Sequence, residues 1–134
     1  MAIEYVRLSQ KAKEQLVKVK RYTGIGHWNV LCRWAFCLSL AEPSVPPNTT
    51  VPADSNVEMT WKVFGGRYDE LYLALLKERC RHDGVGTDAE ALAQQFRLHL
   101  HRGIAYLANN RQLRSTRDLV SLPLAAGTVE ASVE

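Results

Sequence analysis

The side chains of this 134-residue chain that could do chemistry are its histidines and cysteines, with one glycine turn beside them. His99 and His101 have the look of metal ligands. On a helix, however, residues two apart diverge by about 200° and cannot hold one ion together. His99 is expected to pack in the core, and His101, on the far side, to be solvated. His82 beside Asp83 closes a helix, where an imidazole suits the negative end of the dipole. Cys32 and Cys37 lie five apart in an apolar segment and also diverge. Free cysteines in such surroundings behave as small hydrophobes. Cys80, between Arg79 and Arg81, has the more electropositive setting, which makes a reactive thiolate only where the thiol is exposed. Three cysteines without a CxxC pair argue against a disulfide framework or a zinc ribbon. Gly24-Ile25-Gly26 lacks the lysine and hydroxyl of a phosphate loop and the third glycine of a dinucleotide fingerprint. Asp69, Glu70, Asp88 and Glu90 sit at helix starts, where acids are expected for dipole reasons. The expectation is therefore no catalytic residue, no metal and no cofactor.

Charge is more informative. The net charge is only +3, but residues 1–41 hold seven basic residues against Glu4 and Glu14. The remainder is slightly acidic. Such asymmetry points to a polyanionic partner for the first third of the chain. Lys11, Lys13, Lys18 and Lys20 fall within ten residues of one amphipathic helix. Projected at about 100° per residue, Lys11 and Lys18 border one side of its apolar stripe, and Lys13 and Lys20 the other. Arg21 lies between these rows on the solvent side. Lysine stems can simply cover the edges of a core while their heads stay hydrated. As a phosphate-binding surface, the same heads make flexible point contacts to a backbone rather than reading bases. Arg7 and Arg33 complete the candidate set: Arg7, Lys11, Lys13, Lys18, Lys20, Arg21 and Arg33.

The elements that must position these residues are mainly helical. Hydrophobic residues at 46% and charged residues at 23% suit one globular domain. Tyr5, Val6 and Leu8 suit a short strand. Ser9 is a good cap for a helix running from Gln10 to Arg21, stopped at Thr23-Gly24. Val30–Ala41 is apolar on nearly every side, so it must be buried on nearly every side, partly at a subunit interface, and Pro43 ends it. Residues 43–56 carry four of the five prolines and form an exposed loop. Val57–Phe64 reads as a second strand before Gly65-Gly66. A helix from about Arg67 to His82 presents Tyr68, Leu71, Tyr72, Leu75 and Leu76 on one face. Thr87 and Glu90 make a capping box for a further helix, with Leu92, Phe96, His99, Leu100, Gly103, Ile104 and Leu107 in its stripe. Residues 111–122 add a short helix and 123–134 a flexible tail. The fold class is thus mainly α: a compact helical domain over 1–122 of four to five helices with one or two short strands. No apolar run nears the roughly 18 residues that span a bilayer, and no signal-peptide core follows Met1, so a cytoplasmic location is expected.

Two resemblances bear on function. A short strand, a helix, a Thr-Gly turn and then Val30–Ala35 resemble the ribbon-helix-helix regulators, whose strands pair between subunits and read the major groove. That likeness covers residues 5–41. A wider one rests on VRLS at 6–9, the Thr23-Gly24 turn, NVLCRWA at 29–35 and SLAE at 39–42. DELY-x-ALLK at 69–77 and LHLHRGIAYL at 98–107 extend it. Together these segments resemble the DndE family of the bacterial DNA phosphorothioation system, in which sulfur replaces a non-bridging phosphate oxygen. The resemblance implies a compact helical protein assembled as a homo-oligomer, a tetramer. It implies binding of duplex DNA, with attention to nicked duplex, through surface lysines and without catalysis. It implies partners that carry the sulfur chemistry: a cysteine desulfurase, an iron–sulfur ATP-pyrophosphatase-like protein and an ATPase. A third reading is an adaptor whose apolar helix binds proteins and whose lysines are only solvated. The loop at 43–56 and the tail after 123 match no part of these families.

Overall fold

The structure, a computed structural model, describes residues 3–110. The expected short helix at 111–122 and tail at 123–134 lie outside them, as does the expected domain boundary at 122. Strand β1 (Tyr5–Arg7) leads into α1 (Gln10–Thr23), which starts where Ser9 Oγ accepts the Ala12 N–H at 3.0 Å. It ends at Gly24, whose φ of 75° is left-handed and whose N–H donates to the Lys20 carbonyl at 2.8 Å. Helix α2 (Trp28–Ala41) begins two residues earlier than the apolar run suggests and stops before Pro43. The mostly exposed loop then returns the chain to β2 (Glu58–Thr60).

β2 pairs antiparallel with β1, placing Tyr5 opposite Thr60, Val6 opposite Met59 and Arg7 opposite Glu58. Val6 and Met59 face the core while the flanking residues face outward. The ribbon-helix-helix expectation is thereby corrected: β1 finds its partner strand within its own chain. The expected strand over 57–64 is also corrected, because Trp61–Gly65 is a short helix, α3. Trp61 and Phe64 must both be buried, and three residues apart they share a helix face but would point to opposite sides of a strand. Thr60 caps this helix by accepting the Val63 N–H at 3.1 Å.

A 3₁₀ turn at Gly66–Tyr68 joins α3 to α4 (Asp69–Asp83). Here the expected apolar face is rotated. Leu76 and Cys80 are buried and Tyr72 is partly so, whereas Tyr68, Leu71 and Leu75 are 55%, 54% and 40% exposed. Helix α5 (Ala89–Asn109) is capped by Asp88 rather than Thr87, with its carboxylate accepting from the Ala91 N–H at 3.4 Å. Its stripe from Leu92 to Leu107 is buried as the periodicity requires.

α5 is the central helix, packed against α2 on one side and α1 on the other. The α2–α5 crossing is closest at Gly103, where an added Cβ would lie 1.7 Å from the Ala35 carbonyl oxygen. The aromatic cluster of Phe36, Trp61, Phe64 and Phe96 fills the space beside it, with ring centroids 4.9–5.8 Å apart.

One buried polar network ties α2 to α4 and α5. Arg102 Nε donates to Ser39 Oγ at 2.9 Å, so the Ser39 hydroxyl proton points to His99 Nδ1 at 2.8 Å. Arg79 donates to the carbonyls of Leu40, Glu42 and Ser44, and to Asp83 at 2.8 Å. Burial, helped by Arg79 and Arg102, pushes His99 down to about 4 from 6.5. His101 is half-buried rather than solvated, correcting the expectation. Its Nε2 accepts the Ser9 N–H at 3.1 Å and its Nδ1 donates to the Arg97 carbonyl at 2.8 Å. Burial lowers its pKa as well.

Two outcomes follow. Gly103→Ala should destabilise the domain by an amount at or above the top of the usual overpacking range of about 1–3 kcal/mol, because a backbone carbonyl cannot rotate away. Urea denaturation checks this, and an unchanged midpoint would contradict the crossing. Second, both imidazoles bind a proton more weakly folded than unfolded, so the unfolded state takes up more protons as pH falls from 6.5 towards about 4. Stability should be fully present above that window and fall within it. His99→Asn keeps an acceptor for Ser39 and should make the slope shallower; an identical slope in thermal melts would exclude His99 as a contributor.

Candidate nucleic-acid interface

The α1 sequence places no acidic residue in its first turn and Lys20 and Arg21 in its last. Leu16 and Val19 anchor its inner side against the core, which fixes the rotation of the lysines. Lys11, Lys18 and Arg21 are exposed; Lys13 and Lys20 are half-buried at the edge. Lys13 Nζ donates to Asn56 Oδ1 at 2.6 Å. The Lys20 ammonium lies 3.9 Å from the Trp28 ring centroid, a cation–π contact that also brings it to the start of α2. Lys18 is 6.0 Å from the Tyr22 ring.

Two of the three arginines of the candidate set, Arg7 and Arg33, are engaged elsewhere. Arg7 donates to Glu58 at 3.0 Å and to the Ser55 carbonyl at 3.3 Å. Arg33 donates to the carbonyls of Phe64 and Val63, at the carboxyl end of α3. The structure therefore sets Lys13 beside Asn56 and Lys20 over Trp28, leaves Lys11, Lys18 and Arg21 exposed on the same helix, and turns Arg33 to a structural task.

Between α1, the start of α2 and β2 lies an open groove of about 450 Å³, lined by Lys13, Gly26, His27, Trp28, Asn29, Asn56, Val57, Glu58, Met59 and Val63. The amino end of α2 opens onto it. His27 at the cap position makes no side-chain capping bond, and the first turn of α2 has no acidic residue. Free N–H groups and the positive end of a helix dipole suit an anion. His27, Asn29 and Asn56 were not among the sequence candidates. The Gly24–Gly26 turn before an apolar helix was a signal for His27 and Asn29. Nothing local marked Asn56, which reaches the groove only because β2 pairs with β1. A second groove of about 320 Å³ runs beside Lys11, Gln15, Asp54 and His101.

The thiols offer little chemistry. Burial pushes Cys32 up to about 12 and raises Cys80, and desolvation also raises Cys37, even though its side chain is exposed rather than packed as expected. Among the described residues no cluster of three or more His, Cys, Asp or Glu could hold a metal ion, and no helix is long and apolar enough to cross a membrane.

Comparison with known proteins gives a consistent result. The family model for DNA sulphur modification protein DndE matches residues 5–115. The structure resembles the crystal structure of DndE from Escherichia coli B7A, described as involved in DNA phosphorothioation modification, with a TM-score of 0.67 and 26% sequence identity. That match covers 80% of this chain and 98% of the other. No curated protein matches. A family match across most of the chain, with the same fold in a solved relative, makes this protein a member of the DndE family of DNA sulphur modification proteins.

Proposed function

We propose that this chain is a non-catalytic, cytoplasmic DNA-binding subunit of the phosphorothioation machinery. It engages duplex DNA, nicked duplex in particular, through the lysine side of α1 and the amino end of α2. The observation that carries this is Lys13 lining an open groove that the start of α2, without a side-chain cap, also borders, while Lys20 lies over Trp28, another residue of the lining. Lysine ammonium groups are compact charges on flexible stems, suited to phosphates whose positions shift along a backbone. Lys11, Lys18 and Arg21 extend the charge along the helix. A nick adds local freedom to the backbone and lets a phosphate approach a concave surface.

The reading includes a homo-oligomer, a tetramer, working with other proteins of the sulfur-modification complex. Its support is the exposed apolar surface of Leu71 and Leu75 on α4 with Tyr68 in the turn just before it. Contiguous exposed apolar area of this kind marks a contact surface. It lies on different elements from the lysines, so assembly and DNA binding use separate surfaces.

The triple variant Lys13→Ala, Lys18→Ala, Lys20→Ala tests the DNA role. Duplex affinity should fall steeply, and the slope of log K against log salt between about 50 and 200 mM should flatten by about 0.9 per lost phosphate contact. The variant should keep the sedimentation mass of the parent, itself a multiple of the single-chain mass. Unchanged affinity would overturn the assignment of the lysines, and absence of binding by the parent chain would favour the protein adaptor instead.

A further inference from the structure

Resting on the DNA-binding reading, we propose that the groove between α1 and the start of α2 tells a phosphorothioate linkage from an ordinary phosphodiester. Its lining has two chemistries. Lys13 and Asn56, held together at 2.6 Å, make a polar corner beside His27, which makes no capping bond of its own. Val63 and Trp28 supply apolar and polarisable surface, whereas Met59 borders the groove with its side chain turned to the core. Val63 is half exposed there, although it is aliphatic. Glu58 also borders the groove, but its carboxylate is paired with Arg7 at 3.0 Å.

The two linkages carry the same charge and differ in one atom. A non-bridging oxygen is a strong hydrogen-bond acceptor, and setting it against the Val63 side chain strips it of water with no donor in return. Sulfur is larger, more polarisable and a weak acceptor, so it loses little hydration and gains dispersion contact, above all beside an indole. A linkage seated with its remaining oxygen towards Lys13 and its sulfur on Val63 and Trp28 satisfies both parts of the lining. A phosphate satisfies only one. Because the strand direction fixes which non-bridging atom faces which side, one phosphorus configuration should be favoured over the other. The groove's volume of about 450 Å³ falls within the common size range of small-ligand sites, about 300–1,000 Å³. The protein would thus hold its system's product more tightly than unmodified DNA.

The test is equilibrium binding of the full chain to three duplexes of one sequence, whose one strand carries all-phosphate, all-Rp or all-Sp phosphorothioate linkages. One diastereomer should bind at least about fivefold more tightly than the phosphate duplex. Val63→Thr keeps the side-chain shape on a half-exposed site and adds a hydroxyl. It should bring that ratio close to one by raising affinity for the phosphate duplex, since the hydroxyl supplies the donor that a non-bridging oxygen lacks there. Lys13→Ala should weaken all three alike. Equal affinity of the parent chain for the three duplexes would overturn the inference and leave the DNA-binding reading standing. A preference that survives Val63→Thr would also overturn it, since recognition would then lie elsewhere. Failure to bind any of the three would instead remove the DNA-binding reading on which the inference rests.

Discussion

The contact on which the rest of the structure depends is Gly103 of α5 lying directly on the Ala35 backbone of α2. Only a residue without a side chain permits two helices to approach this closely, and the spacing propagates in both directions along α2. Towards its carboxyl end it brings Ser39 to His99 and Arg102. At the level of Phe36 it allows the ring to meet Phe96 at 5.1 Å and close the aromatic cluster. Towards its amino end it delivers His27, Trp28 and Asn29 to the side of α1, where Lys13 and Lys20 meet them. A methyl group at position 103 would act as a lever on all three regions.

Within this frame arginine and lysine take different work. Arg33, Arg79 and Arg102 direct their planar forks at backbone carbonyls: those of Val63 and Phe64, of Leu40 to Ser44, and of Ser39 and Ser44. A guanidinium with several donors in fixed geometry is well matched to that task, and it stays charged when half buried. Arg79 and Arg102 thereby anchor the start of the proline-rich loop. Most of the α1 cations, by contrast, keep their heads at the surface. The chain's charge asymmetry is therefore less a matter of how many cations each region has than of which ones remain available to a partner.

Much of the helical architecture was legible in the sequence because local rules and burial agree there. Ser9 and Gly24 bound α1, Pro43 limits α2, and the stripe from Leu92 to Leu107 has an unbroken helical period. The misread regions are those where tertiary packing decides. Residues 61–64 have strand-like composition, but the need to bury Trp61 and Phe64 on one side makes them helical. On α4 the apolar residues outnumber the positions the core can cover, so periodicity could not say which of Tyr68, Tyr72 and Leu75 would face inward. His101 looked solvated because its partner, the Ser9 amide, is 92 residues away in sequence. Of the candidate site, the lysines could be read from their spacing on one helix. The engagement of Arg33 and the arrival of Asn56 and Met59 in the groove depend on the pairing of β1 with β2, a long-range event with no local signature.

Family membership joins these observations to a chemistry, the sulphur modification of DNA. We propose the lysine-bearing side of α1 and the amino end of α2 as the surface that meets phosphates, and the exposed apolar side of α4 lies on another element. The most direct check of that division is to follow backbone amide resonances of the isotope-labelled protein while a short nicked duplex is added. The account expects shifts along Lys11–Arg21 and at Gly26–Asn29, with Tyr68, Leu71 and Leu75 unmoved. Shifts centred on α4 with α1 unaffected would contradict it.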